Sequence, residues 1–503
     1  MAGPRYRVVV LCWCDSGIRG GDTDWRLGQT PAAWNAWVTL ARPLLRRTRM
    51  SESLEDRQPH GIDRAHLMTA PGFSPVMMIE VELTQPLPAL LPDGECQRAW
   101  VLARLHTEPV GVCMLPIADE GLTSEEVAAA LWGEMREVVQ DRYRVFGLRC
   151  PETLPGAGLG GVADEWPFLR RRAEVLAEAP FISVVVCTKD RAEQLRSCLG
   201  WLQGQQYPRF EVVVVDNAPG GDAVPSAVAA WQSTMPCRYV AEPRGGLSWA
   251  RNTGAAAAVG EIVAFLDDDE EPDRHWLAGL ALGFARAGDI GAVTGIILPA
   301  RLDTRAQELF ELAGGHSLGR GFTAAVFASD GPQSPLFPLP PFGAGGNMAF
   351  RREVLARIGW FDVALGAGTP TRGGEDSFAL TMTLLAGYRI AYEPAAFVRH
   401  NHYTDFESLA RLWHGYGIGL TAFYAALVRH RPSVLPQLIR LLPDAVRYLR
   451  PGNSDYEGAM SLPITIRRRK RQGMISGPMA YVRSMRRQAR LAAASAGTPE
   501  VAR

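Results

Sequence analysis

Cysteine is scarce, with eight in 503 residues. Cys12 and Cys14 form a lone C-x-C, and no second pair lies at zinc-ligand spacing. A disulfide scaffold is thereby excluded, and buried free thiols in a reducing compartment are expected. Long apolar runs are missing as well. The nearest to a membrane span, residues 412–428, has 17 residues with His414 and three glycines among them. That is short of the about 20 that a spanning helix needs. The apolar run after Arg5 ends at Asp15 without a small-residue cleavage site. No signal peptide is therefore expected, and the expected location is cytoplasmic. Net charge is absent too: 53 Lys and Arg balance 53 Asp and Glu, which argues against a nucleic-acid binder.

What is present is ordinary globular composition, 47% hydrophobic and 21% charged. The length suggests about two to four domains. The balanced charge hides an asymmetry. Residues 461–503 hold ten Lys or Arg against Glu500, a local +9 that leaves −9 on the other 460 residues.

Residues 6–11 read as a strand, followed by a helix carrying Trp34, Trp37, Leu40 and Leu44 and a polar connector at 51–65. Residues 76–83, 99–105 and 110–115 read as strands. Thr123-Ser-Glu-Glu126 is a capping-box start for a helix burying Val127, Leu131, Met135 and Val138. This pattern predicts an accessory α+β domain over 1–150, with a Pro- and Gly-rich segment opening a linker over 151–180. From Phe181 the character changes. Apolar runs at 182–186, 210–215 and 261–266 alternate with amphipathic helices, which predicts an α/β fold with a mostly parallel sheet. Such sheets bind ligands at the carboxyl ends of their strands, where Asp216 and Asp267-Asp268-Asp269 fall.

Three adjacent carboxylates repel one another unless a divalent cation joins them. Mg²⁺ or Mn²⁺ takes hard oxygen ligands and leaves positions for substrate phosphates. The competing reading is a solvated acidic loop before a helix begun by Pro272 and Asp273. Gly373-Gly374-Glu375-Asp376 follows a Gly- and Pro-rich stretch, a place for a general base under a closing loop; an ordinary acidic helix start fits it too. His400 and His402 follow a strand-like run at i, i+2. Gly343-Ala-Gly-Gly-Asn347 reads equally as a plain loop and as a turn whose amides lie near a diphosphate.

Together these segments resemble family 2 glycosyltransferases of the GT-A fold. The resemblance rests on Cys187-Thr188-Lys189-Asp190-Arg191, Val215-Asp216-Asn217, Glu242-Pro243-Arg244-Gly245-Gly246, Ala250-Arg251-Asn252 and Phe265-Leu266-Asp267-Asp268-Asp269. Gly345-Gly346-Asn347, Gly359-Trp360-Phe361-Asp362 and Gly374-Glu375-Asp376 follow in the same order, so about half of the chain is covered.

The resemblance implies roles. Thr188 and Asp216 would line the base and ribose pocket of a nucleotide-diphosphate sugar, with Asp267, Asp268 and Arg251 on the donor side. Asp269 and His400 would hold Mg²⁺ or Mn²⁺, and Asp376, beside Glu375, would deprotonate an acceptor hydroxyl. Attack opposite the leaving group inverts the anomeric centre. Many members carry a second acid where this chain has Asn217. The Q-x-x-R-W motif of processive synthases is absent, so transfer of one sugar is expected.

Boundaries follow: a GT-A-like catalytic domain over 181–405, a helical extension over 406–460, and a basic amphipathic tail over 461–503. The tail mixes Arg467–Arg471 and Arg483–Arg487 with apolar side chains. It can hold the protein at an anionic membrane surface or be simply solvated. A catalytically silent recruitment module and a nucleotidyltransferase are the alternative functions. The second would need a glycine-rich phosphate loop where Cys187-Thr188-Lys189-Asp190 stands.

Overall fold

A computed structural model describes residues 73–161, 166–317, 320–331, 334–337, 339, 341–448 and 463–496. The strand and helix expected before residue 51, with Cys12 and Cys14, lie outside them. In the accessory unit β1 (Met77–Glu82) runs parallel to β2 (Arg98–Leu105), which pairs antiparallel with β3 (Glu108–Pro116). Helix α1 (Ser124–Val145) covers this sheet behind the expected capping box, Thr123 and Glu126 each accepting the other's amide. Its buried stripe continues in steps of four from Val127 through Leu131 and Met135 to Val139, and Val138 sits at the edge.

The segment expected as a linker is held instead. Leu159 N–H donates to the Leu83 carbonyl at 2.7 Å, and Leu87 N–H to that of Gly156 at 2.8 Å. Leu154 and Trp166 are buried beside α1, ahead of α2 (Pro167–Ala177). Proline and glycine here shape turns against the sheet. The accessory unit also docks on the larger one. Arg104 reaches Asp273 at 2.7 Å, Arg98 reaches Glu308 at 2.5 Å, and Trp100 and Leu102 join the main core.

The apolar runs after residue 181 form β4 (Ile182–Thr188), β5 (Phe210–Asn217), β6 (Cys237–Glu242) and β7 (Ile262–Asp267), all parallel. Their crossovers are α3 (Ala192–Gln203), α4 (Ala223–Ala229) and α5 (Leu247–Ala257). Strands β4, β5 and β7 are buried on both faces, as apolar runs without alternation require, and β6 at the sheet edge is half-buried. Asp222 precedes α4 without a side-chain capping bond.

A difference from expectation follows the aspartates. Glu270–Pro272 is β8 and not a helix start; helix α6 (Trp276–Phe284) begins later. The chain then forms β9 (Ile290–Thr294), β10 (Ile297–Pro299), α7 (Arg305–Leu312), β11 (Ala325–Phe327), β12 (Asn347–Arg351) and α8 (Arg352–Arg357). Helix α9 (Glu375–Leu385), β13 (Arg389–Tyr392) and β14 (Val398–His400) complete the unit. The eight-stranded order is β11-β13-β9-β12-β7-β4-β5-β6. Within it β12 runs antiparallel to both neighbours, giving the mixed GT-A-type sheet. A small sheet, β10-β14-β8, withdraws Glu270 from solvent by pairing it with His400.

Helix α10 (Phe406–His430) buries Leu409, Trp413 and Phe423 in the core while Tyr416 stays exposed; α11 (Leu435–Tyr448) follows. The basic segment is a 33-residue helix, α12 (Ile464–Ala496), laid along α10. Contact is backbone to backbone: a Cβ on Gly477 would lie 2.0 Å from Thr421 Oγ1 and 2.4 Å from the Ile418 carbonyl. Tyr481 is buried and donates to Asp362 at 2.5 Å, and His430 contacts the same carboxylate at 3.0 Å. Among the described residues no helix is long and apolar enough to cross a membrane.

Candidate active site

Parallel register brings the first residues together. Thr188 pairs with Asp216 across β4 and β5, and Cys187 with Asp267 across β4 and β7, so the threonine and both acids sit at the carboxyl edge. Asp216 is 1% exposed and accepts a bond from the Tyr239 hydroxyl at 3.2 Å. Burial holds its carboxyl above the ordinary range. Asn217, where a second acid is common in the family, binds the glycine turn. Its amide donates to the Arg244 carbonyl at 2.8 Å, and its oxygen accepts from Gly246 N–H at 2.9 Å. The substitution thus fixes the turn that begins α5.

Beyond β7 the aspartates diverge. Asp268 accepts from Thr188 Oγ1 at 2.6 Å and from Arg191 at 3.0 Å; Arg191 also reaches Asp269 at 3.1 Å. Burial, reinforced by Asp269, pushes Asp268 up to about 6 against the pull of Thr188 and Arg191. Asp269 Oδ1 lies 3.8 Å from His400 Nε2. Burial lowers the His400 imidazole to about 4, which keeps it in the neutral form that ligates metal. One carboxylate oxygen and one imidazole nitrogen at that separation fit a shared divalent cation. Behind them runs a chain of contacts: His400 Nδ1 to His402 Nδ1 at 2.9 Å, then His402 Nε2 to Glu311 Oε1 at 2.7 Å. Such a relay fixes the ring orientation and tautomer of a ligating histidine. His316 stands edge-on to His400, with ring centroids 4.6 Å apart. Ligand atoms of His316, His400 and His402 all lie within 4.8 Å of one another.

Arg251 is 2% exposed and joins the two halves of the site. It donates to Glu375 at 2.8 Å, to Asp267 at 3.3 Å and to the Gly345 carbonyl at 3.1 Å. Gly345 N–H in turn donates to Asp376 Oδ2 at 2.9 Å, and Ser377 N–H to Oδ1 at 2.6 Å. The glycine segment read equally as a loop or as a diphosphate turn thus supports the candidate base. Its neighbour Gly346 has no room for a side chain, since a Cβ would lie 2.2 Å from buried Glu270 Oε1. Burial pushes Glu375 up to about 7 although Arg251 opposes it.

Of the residues singled out in the sequence, Thr188, Asp216, Asp267, Asp268, Asp269, His400, Arg251, Glu375 and Asp376 all belong to this connected region. Two are placed differently from what the resemblance implies. Arg251 is surrounded by its own acceptors and lies beneath the surface, and Glu375 is its partner. Sequence reasoning missed Arg191, Glu270, Glu311 and His316. Arg191 stood in a quoted motif and Glu270 followed the triplet, but nothing local marked Glu311 or His316.

The profile described as "Glycosyl transferase family 2" matches residues 183–359. The succinoglycan biosynthesis protein ExoM of Rhizobium meliloti (strain 1021) is 33% identical over 230 residues, 44% of this chain and 67% of that protein. The glucosyl-dolichyl phosphate glucuronosyltransferase of Haloferax volcanii is 24% identical over 250 residues, 47% of this chain and 75% of that one. The pre-mycofactocin glycosyltransferase of Mycobacterium tuberculosis is 26% identical over 263 residues, covering 51% and 50% respectively. The matches thus span from half to three quarters of those relatives. Among solved structures, a mannosyltransferase from Pyrobaculum calidifontis in complex with GDP-Man and Mn²⁺ is 25% identical, with TM-score 0.38, covering 65% of this chain and 88% of that one.

Proposed function

Since the chain belongs to glycosyl transferase family 2, we propose that it moves one sugar from a nucleotide-diphosphate sugar to an acceptor hydroxyl, with inversion at the anomeric carbon. The observation that carries this reading is the Arg251 network. One buried guanidinium ties Asp267, at the head of the aspartate run, to Glu375 and Gly345, which position Asp376. A donor side and a base side are therefore held in fixed relation, the preorganisation that transfer needs.

Thr188 and Asp216 line the base and ribose side, and Asp268 faces the ribose or diphosphate. Asp269 and His400 would hold Mg²⁺ or Mn²⁺, which when bound offsets the charge on the departing diphosphate. Asp376 takes the acceptor proton as the hydroxyl attacks the anomeric carbon. Glu375 and Arg251 position these groups without touching substrate. The acceptor is a lipid-linked sugar, a cell-surface glycan or a secondary metabolite. That range agrees with the relatives, named for succinoglycan biosynthesis, for a glucosyl-dolichyl phosphate and for pre-mycofactocin.

The location is cytoplasmic, at the inner face of a membrane. Supporting it are the exposed Ile475 (85%) and Met479 on α12 among its outward arginines. Calorimetric titration of UDP, GDP and dTDP with and without Mn²⁺ tests the transferase reading. Mn²⁺-dependent binding of one nucleotide, lost in Asp269→Ala, is expected. Absence of binding to all three would overturn it in favour of a silent module.

A further inference from the structure

The strongest unassigned feature lies where α12 crosses the loop that leads into α9. A cleft of about 400 Å³ opens there, lined among others by Thr369, Arg372, Ser476, Arg483 and Arg487. Its continuation along α12, about 570 Å³, adds Arg486 and Arg490. Helix α12 carries nine Lys or Arg and no acid. Among the described residues no carboxylate forms an ion pair with Arg372, Arg483, Arg486, Arg487 or Arg490, whereas both exposed Arg191 and buried Arg251 of the active site have carboxylate partners. Like charges gathered around a concavity without counter-ions repel one another, and the arrangement is relieved by a multiply charged anion.

The backbone builds the cleft toward the same end. Thr369 Oγ1 donates to the Gly366 carbonyl at 2.7 Å and meets Thr371 Oγ1 at 2.8 Å. Arg487 donates to the Gly368 carbonyl at 3.0 Å, which fixes the loop against α12. Arg372 has φ +60°, a left-handed conformation costly for a side chain bearing a Cβ. The loop accepts it at the one residue of this turn that brings a guanidinium to the cleft. Arg372 precedes Asp376 by four residues, and the same loop packs on the glycine turn that begins α5, where Leu247 N–H donates to the Ala367 carbonyl at 3.0 Å.

We propose that this cleft binds a phosphate monoester or diphosphate, and that this group is the anionic handle by which the acceptor is docked beside Asp376. The assignment of the ligand as part of the acceptor rests on the transferase reading above. Guanidinium groups suit the task because their paired N–H donors match phosphate oxygens. Two sources share the chemistry, a soluble phosphorylated acceptor and the phosphate head of a lipid-borne one.

The test is titration of inorganic pyrophosphate into the full chain in EDTA, which removes cation-dependent binding at the donor side. The proposal expects binding in the unmodified protein and in Asp269→Ala alike, weakened roughly tenfold or more in Arg372→Gln/Arg483→Gln. Both arginines are exposed and lack carboxylate partners among the described residues, so this double variant should fold, as circular dichroism would verify. Phosphatidylcholine vesicles doped with a long-chain alkyl phosphate separate the sources. Co-sedimentation lost in the double variant assigns a lipid-borne phosphate. Pyrophosphate binding without vesicle binding assigns a soluble one. No pyrophosphate binding, or binding unchanged in the double variant, overturns the proposal. Turnover plays no part in these readouts, and the nucleotide titration tests the transferase reading separately.

Discussion

Arg251 and Glu375 meet at 2.8 Å in a buried ion pair that joins the helix after the glycine turn to the helix bearing the candidate base. They are 124 residues apart in sequence. Arg251 gains its second and third contacts from Asp267 and the Gly345 carbonyl, so a single side chain holds three segments together. Removing one member of such a cluster leaves uncompensated buried charge.

Arg251→Lys keeps the charge but loses the planar fork that reaches Glu375 and Asp267 together. We expect a destabilisation of about 3 kcal/mol, read as a lowered urea midpoint at constant slope. An unchanged midpoint would show that the cluster does not hold these loops together.

Asp376→Asn should separate binding from chemistry. Its side chain still accepts from Gly345 N–H, so Mn²⁺-dependent nucleotide binding stays close to that of the unmodified protein. Sugar transfer, or donor hydrolysis in the absence of acceptor, falls roughly 10²- to 10⁴-fold. Near-normal turnover would remove Asp376 from the role of base.

His402→Ala breaks the relay from Glu311 to His400 without removing the ligand itself. Weakening of Mn²⁺ binding by about 10- to 100-fold is expected, measured by electron paramagnetic resonance of free Mn²⁺. Unchanged affinity would mean that His400 is oriented by other contacts.

Asp362 supplies the pH dependence. Burial acts to raise its pKa, but hydrogen bonds from His430 and Tyr481 outweigh burial and hold it below the ordinary carboxylate range. A depressed folded-state pKa contributes stability that is complete above the unfolded value and is lost as pH falls through the folded one. Asp362→Asn lacks that contribution. The gap in unfolding free energy between the two proteins should therefore narrow below about pH 4, and a gap constant with pH would refute the assignment.

Legibility in the sequence followed how local the information was. Buried strands were readable because residues 182–186, 210–215 and 261–266 are apolar without alternation, and helix α1 because its capping box lies within four residues. Reading β8 as a helix start failed because Pro272 and Asp273 carry helix-start chemistry. Pairing with β14 overrides it, and that partner lies more than 120 residues away. The basic segment was ambiguous between tail and membrane anchor for the same reason. Its glycines signify close packing only once α10 is beside it.

The sequence by itself determined the alternation of strands and helices, and the order of motifs that marks a family 2 glycosyltransferase. It also determined that acids cluster at strand ends, because each of these depends on neighbours a few residues apart. Tertiary structure alone decided the division of labour among the acids. Asp268 is engaged by Thr188 and Arg191, Glu375 by Arg251, and Asp376 by the amides of Gly345 and Ser377. Identical carboxylates acquire different protonation and different roles from burial and from donors brought by distant segments. Those distances exist only after the sheet has formed and α5 and α9 have packed so that Arg251 meets Glu375.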